Sequence, residues 1–191
     1  MEFDPFGSSL VVFHKTISTK MQGEAITNYP VLNAVKEVTG PWDVAFDTKW
    51  GGPALIQFDK LTDWTKHSDE GIKYYSGKAV YTNTFEFTPV IGKCSWLQLN
   101  KVLDAGIAFV KLNGKDIGTT WTPPFRLEIT DAVKAGQNQL EITVVNTWQN
   151  RLIGDRGKDK KDRFTETNIK IKDSWRLRPS GLLGPVEITS E

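Results

Sequence analysis

The stretch "FVKLNGKDIGTTW", residues 109–121, decides the fold. On either side of Asn113-Gly114, residues change from apolar to polar with the two-residue period of a half-buried strand. Asn-Gly between two such runs is the strongest short hairpin signal, because a type I′ turn needs two left-handed positions and these residues take them most readily. The stretch therefore reads as a β-hairpin.

Working outward, the same texture continues. "AVYTNTFEF", residues 79–87, alternates and is rich in aromatic and β-branched side chains. "SWLQLNKV", "FRLEITDAV" and "NQLEITVV" read as further strands, with "GQN" at 136–138 a turn. "NIKIKDSW" places Ile169 and Ile171 on one face of another strand, and "GPVEIT" supplies the last one. Turns about every 8–12 residues point to an all-β sandwich or barrel. Helix signals are sparse. "YPVLNAVKEVTG" predicts one short helix over 31–38, ended by Gly40, and a helical turn is expected over 61–65. The run "LVVF", residues 10–13, reads as a strand and not as a secretory leader.

Composition narrows the function classes. The net charge of +1 sets up no global field toward nucleic acid or an anionic membrane. No run approaches the ~18 apolar residues needed to span a bilayer. Cys94 is the only cysteine, which excludes an internal disulfide and a cysteine-rich metal site. The histidines, His14 and His67, fall in no metal or catalytic spacing. The glycines form neither of the two common phosphate-loop patterns. Asp155, Asp159 and Asp162 lack calcium-loop spacing, so no cofactor is expected, although a structural Ca2+ at a sandwich rim stays open. The charged segment 154–168 mixes both signs and reads as a solvated loop.

Glu86, Glu128, Glu141 and Glu187 are the acids a glycosidase pair would draw on. All lie on expected strands where alternation turns them outward, and no catalytic residue is assigned. Seven tryptophans are the unusual feature. Trp42 and Trp96 are expected in the core and Trp64 packed beside a helical turn. Trp50, Trp121, Trp148 and Trp175 fall at strand ends or in loops, where a ring either plugs the sandwich or stacks on a sugar.

Residues 109–146 carry a strand, an Asn-Gly-Lys hairpin, Pro-Phe, an "IT" strand and a Gly-x-Asn-x-Leu strand. This order resembles the sugar-binding jelly-roll domain of family 2 glycoside hydrolases. "WDVAFDTKWGGP", "FDKLTDWTKHSDEGIKYYSGKAVYTNTFEF", "NTWQNRLIGD" and "SGLLGPVEI" are similar to the C-terminal region of the large bacterial α-L-rhamnosidases of glycoside hydrolase family 106, and "SSLVVFHK" to the segment before it. The resemblance implies a galactose-binding-domain-like jelly-roll β-sandwich over 39–191, with one or two short helices. Residues 1–38 would be an extension or the remnant of a preceding domain. It implies a non-catalytic accessory domain of a glycoside hydrolase, since that family's catalytic acids sit on a barrel this chain does not resemble. The implied partners are the parent's catalytic domain and a plant polysaccharide or rhamnose-containing glycan, with no nucleic acid and no membrane. The implied setting is periplasmic or extracellular. An autonomous carbohydrate-binding module is the alternative.

The candidate site follows from two matched loops. With the last strand beside 138–146, "NTWQNRLIGD" would become a loop neighbouring "SGLLGPV". That would gather Trp148, Asn150, Arg151 and Asp155 near Ser180, with Trp121 and Trp175 as further sugar-stacking rings. Amides and guanidinium donors suit sugar hydroxyls. Equally, Arg151 and Asp155 could form a buried ion pair while Asn146 and Asn150 tie down loop backbone. The residues alone leave both readings open.

Overall fold

Asn113 and Gly114 both take positive φ, 54° and 79°, as the turn requires. The Asn113 side chain donates to the Asn138 amide oxygen at 2.8 Å and to the Ala132 carbonyl, and it accepts from the Gln139 N–H. The Asn of the hairpin, half-buried, and the Asn of Gly-x-Asn, fully buried, are thus parts of one lock. This arrangement belongs to a computed structural model of the chain that describes residues 3, 7–12, 14, 31–103 and 106–191.

The described residues build two main antiparallel sheets. In chain order the strands are β1 (Asn33–Glu37), β2 (Trp42–Phe46), β3 (Ile56–Phe58), β4 (Lys78–Phe87), β5 (Ser95–Gln98) and β6 (Val102–Leu103). They continue with β7 (Ile107–Leu112), β8 (Lys115–Thr120), β9 (Arg126–Glu128), β10 (Gly136–Val145), β11 (Gly181–Leu182) and β12 (Glu187–Ser190). Two short helices, α1 (Glu70–Lys73) and α2 (Gln149–Asp155), complete the all-β sandwich. One sheet runs β3-β2-β4-β10-β7-β8 and the other β1-β12-β5-β9, with β11 and β6 pairing as a small ribbon.

Alternation does what the sequence predicts on the large sheet. β10 buries Asn138, Leu140, Ile142 and Val144 and turns the intervening residues outward. Its central position between β4 and β7 is fixed by ten pairs to one and six to the other. The core between the sheets is rich in rings: Trp42, Trp64, Tyr75 and Tyr81 are almost fully buried, and Phe46 meets Tyr75 edge-on at 4.8 Å. Most buried polar tips are paired, the exceptions among the described residues being the Trp96 Nε1 and Arg151 Nε nitrogens, Asp155 Oδ1 and the Thr189 hydroxyl. The Trp64 indole donates to the Tyr81 hydroxyl at 2.6 Å, which also accepts from the Leu182 N–H.

Several expectations are corrected. Residues 33–37 form a strand, not a helix, and pair with β12 from Asn33 opposite Ser190 to Glu37 opposite Glu187. The residues of "NIKIKDSW" take no strand. Leu10, Val11 and Val12 are exposed and without regular structure, and Phe13 lies outside the described residues. "NTWQNRLIGD" is mostly helix α2 and not a loop. The last strand pairs with β1 and β5 in the opposite sheet instead of lying beside β10. Trp96 is half-buried and not core, because β5 turns Leu97 inward and leaves Trp96 facing out beneath the Arg126 guanidinium at 5.3 Å.

Candidate functional site

Helix α2 follows directly on β10 and inverts the usual amphipathic rule: its buried residues are Asn150, Arg151 and Asp155, while Leu152 and Ile153 are only half-buried. Arg151 and Asp155 are four apart and share a face, as do Asn150 and Gly154. Gly154 lets that face close on Tyr74, since a Cβ there would lie 2.6 Å from the Tyr74 Cβ. A polar helix face stays buried only when partners meet it, and here they come from distant sequence.

Asn150 donates to the Arg178 carbonyl at 2.7 Å and to the Ser180 hydroxyl at 2.9 Å, and its oxygen accepts from the Arg178 N–H at 2.8 Å. The Ser180 N–H in turn donates to Asp63, whose carboxylate also accepts from the Thr65 N–H and hydroxyl. Asn146 reaches the other way, accepting from the Gly77 N–H and donating to the Tyr75 carbonyl. The Arg151 N–H donates to the Ser76 hydroxyl, and its guanidinium donates to the Gly71 carbonyl at 3.2 Å and lies 4.5 Å from the centre of the Phe164 ring. Burial pushes the Arg151 pKa down, and the charges of Asp155 and Tyr75 restore part of the shift.

One oxygen of the Asp155 carboxylate, Oδ2, accepts from the Phe164 N–H and from the Thr165 N–H and hydroxyl, at 3.0, 2.8 and 2.7 Å, while Oδ1 is buried without a hydrogen-bond partner. Arg151 and Asp155 therefore act on each other only through space, and the direct ion pair is replaced by two separate sets of bonds. Asp155 instead pins the return of the long 156–163 segment onto α2.

The structure thus brings Asn150, Arg151, Asp155 and Ser180 to one rim, all of them buried, with their bonds directed inward. The rings behave differently. Trp148 is 48% exposed and Trp121 64% exposed, while Trp175 is half-buried. β2 ends at Phe46, β10 at Val145 and β8 at Thr120, and the registers carry all three ends to one edge of the large sheet. Trp50, Trp148 and Trp121 therefore all leave the same rim, each two strands, roughly 10 Å, from the next strand carrying one. Trp175 lies in a segment tied beside α2, where Gln149 donates to the Arg176 carbonyl and Arg156 bonds Asp173.

Three more residues complete this rim: Trp50, read from the sequence with the other loop tryptophans but not among the gathered site residues, and Phe164 and Asp63, which the sequence did not single out. Trp50 meets Trp148 edge-on at 4.9 Å, Phe164 covers Arg151, and Asp63 holds Ser180. Trp50 and Phe164 had aromatic character as a signal; Asp63 had only its N-capping place before "WTK". Glu86 and Glu128 are exposed, Glu141 pairs with Lys111 at 3.3 Å, and Glu187 accepts from Asn100. Among the described residues no group of three or more His, Cys, Asp or Glu is placed to hold a metal ion, and no helix is long and apolar enough to cross a membrane.

With fold and rim defined, the chain can be compared with known proteins. No family model matches it. The class is nonetheless clear: the chain is similar to a segment of glycoside hydrolases. The rhamnosidase from Novosphingobium sp. PP1Y superposes with a TM-score of 0.80 and 42% identity over 87% of this chain, which is 16% of that chain. A Formosa agariphila protein named "Putative beta-glucuronidase" is 36% identical over 200 aligned positions, 92% of this chain and 17% of its own length. A β-D-glucuronidase of Dictyoglomus thermophilum shares the fold, with a TM-score of 0.56 and 19% identity over 86% of this chain. The chain therefore spans about a sixth of the length of each of these two relatives, the rhamnosidase and the Formosa agariphila protein.

Proposed function

We propose that the chain acts as a non-catalytic accessory sandwich of a glycoside hydrolase of the α-L-rhamnosidase kind, buttressing a catalytic domain and contributing to carbohydrate contact. What carries this reading is that nearly the whole sandwich matches a small part of a much larger rhamnosidase. Supporting it, the buried carboxylates of Asp63 and Asp155 each hold backbone N–H groups, a structural use of the two acids. Residues 39–191 are the sandwich unit in this reading, and 1–38 an extension from which β1 joins the sheet. A plant polysaccharide or rhamnose-containing glycan is its ligand class, the setting is periplasmic or extracellular, and nucleic acid and membrane are not partners. Asn150, Arg151, Asp155 and Ser180 shape the rim from inside, while Trp148, Trp121 and Trp175 supply the surfaces a sugar ring can reach.

Two measurements test the reading. The chain alone should release no aryl alcohol from an aryl rhamnoside, and hydrolysis would overturn the non-catalytic role. Excising the matching segment from the Novosphingobium rhamnosidase should lower that enzyme's melting temperature and solubility; an enzyme unchanged in both would remove the buttress. The exposure of Trp148 and Trp121 on one rim favours a second reading, an autonomous carbohydrate-binding module. Saturable quenching of the isolated chain's tryptophan fluorescence by rhamnose or pectic oligosaccharides would select it.

A further inference from the structure

Beside α2 two adjoining depressions, taken together as a trench, both have Leu152, Phe164, Thr165, Glu166, Thr167 and Ile169 in their linings. One arm, of ≈ 350 Å³, ends on Trp50 and Trp148. The other, of ≈ 520 Å³, ends on Arg156, Lys160 and Arg163. The trench is therefore aromatic at one end and cationic at the other.

We propose that this trench binds an acidic saccharide, with a pyranose ring on the tryptophan arm and a carboxylate or sulfate ester on the basic arm. The proposal rests on reading the chain as a glycoside-hydrolase accessory module, and it adds the charge of the ligand and its location. In the T-shaped Trp50–Trp148 pair, Lys49 already lies 5.5 Å from the Trp50 ring centre, so Trp148 is the ring with a free surface. Apolar C–H faces of a pyranose match such a ring, with Ile169, 53% exposed, extending the apolar contact.

The charges favour an anion at the other end. Asp155, which also lines the arm, has one carboxylate oxygen on the 164–165 backbone and the other buried without a hydrogen-bond partner. That leaves Glu166 as the exposed acid among three cations. Glu166 holds Lys160 at 3.3 Å, yet both side chains are more than four-fifths exposed, and such pairs exchange partners at little cost. Arg163 is anchored through its Nε–H to the Lys158 carbonyl at 2.8 Å, which orients a fork suited to carboxylate or sulfate oxygens. Arg156 is held by Asp173 and the Lys172 carbonyl and shapes the wall.

The test is a tryptophan-fluorescence titration of the intact chain with an oligogalacturonide, its carboxyl-reduced counterpart, a sulfated oligosaccharide of equal length and a polyglutamate of equal charge. The expected result is saturable binding of an acidic oligosaccharide, weakened about tenfold by removal of its charge or by the double variant R163A/K160A. Trp148→Ala should abolish the response, checked by calorimetry because it also removes a reporter. Whether the uronate or the sulfated sugar binds tighter identifies the acidic group. Equal affinity for the carboxyl-reduced and acidic oligomers overturns the proposal and leaves the accessory reading standing. Equal affinity for polyglutamate, unaffected by Trp148→Ala, reduces the trench to a basic patch and also overturns it. Binding of no oligosaccharide overturns it as well, while the excision experiment still decides the buttress role.

Discussion

At Asn150 one amide stands in for a strand, giving and taking hydrogen bonds with the Arg178 backbone and reaching the Ser180 hydroxyl. Replacing it with Ala removes three hydrogen bonds made by a fully buried side chain, so Asn150→Ala should cost about 2–3 kcal/mol, read from the urea midpoint. Asn150→Asp should not rescue it, because a carboxylate cannot donate to the Arg178 carbonyl. Tyr81 gives a pH signature. Burial, as the largest influence, pushes its phenol well above the ordinary value of 10.0, although the bonds from Leu182 and Trp64 pull the other way. The unfolded chain loses this proton first as pH rises, so the folded state then holds more protons. Stability is therefore full below about pH 10 and falls as pH climbs toward the folded-state value. Denaturant titrations on either side of that point should show the fall, and Tyr81→Phe should flatten it. The raised phenol of Tyr75 keeps the remainder. At neutral pH the same variant should lose about 1–3 kcal/mol, because Trp64 and Leu182 lose their acceptor.

Among the elements, the small ribbon β11–β6 depends on a close approach. Gly181 has φ +104°, and a Cβ there would lie 2.6 Å from the Trp64 indole nitrogen. Gly181→Ala should cost more than about 2 kcal/mol through strain and loss of the Trp64–Tyr81 bond, seen as a lower melting temperature. Gly114→Ala is the control: φ is +79° with open space around it, so only the left-handed penalty of about 1–2 kcal/mol applies. Elements were legible in the sequence where their inward faces are apolar, as in β4, β7 and β10. Helix α2 was not, because its inward face is Asn150, Arg151 and Asp155, and an apolar-periodicity reading looks for the opposite. β1 misled in the other direction. Val31, Ala34, Val35 and Val38 repeat at helical spacing, yet pairing with β12 decides the outcome and leaves Val35 half exposed. The candidate site was legible as a list of polar and aromatic residues but not as a network. Ser76 lies 75 residues from Arg151 and Asp63 117 residues from Ser180, separations that no local pattern encodes.

For the whole molecule, β1 is the test of where the sandwich begins. It covers the edge of β12, and the Val38 N–H adds a bond to the Val186 carbonyl. A chain starting at Thr39 should leave the β12 edge bare, melt at lower temperature than the full chain and scatter more light on heating. If both chains melt alike, the unit begins at 39 and β1 is dispensable. The β1–β12 register has one more consequence. Asn33 lies opposite Ser190, so the sandwich is entered and left at one point, like a bead hung from a single knot. A short flexible link from Glu191 back to Asn33 should therefore yield a circular permutant that refolds, with new ends opened at Gly92 in the exposed turn between β4 and β5.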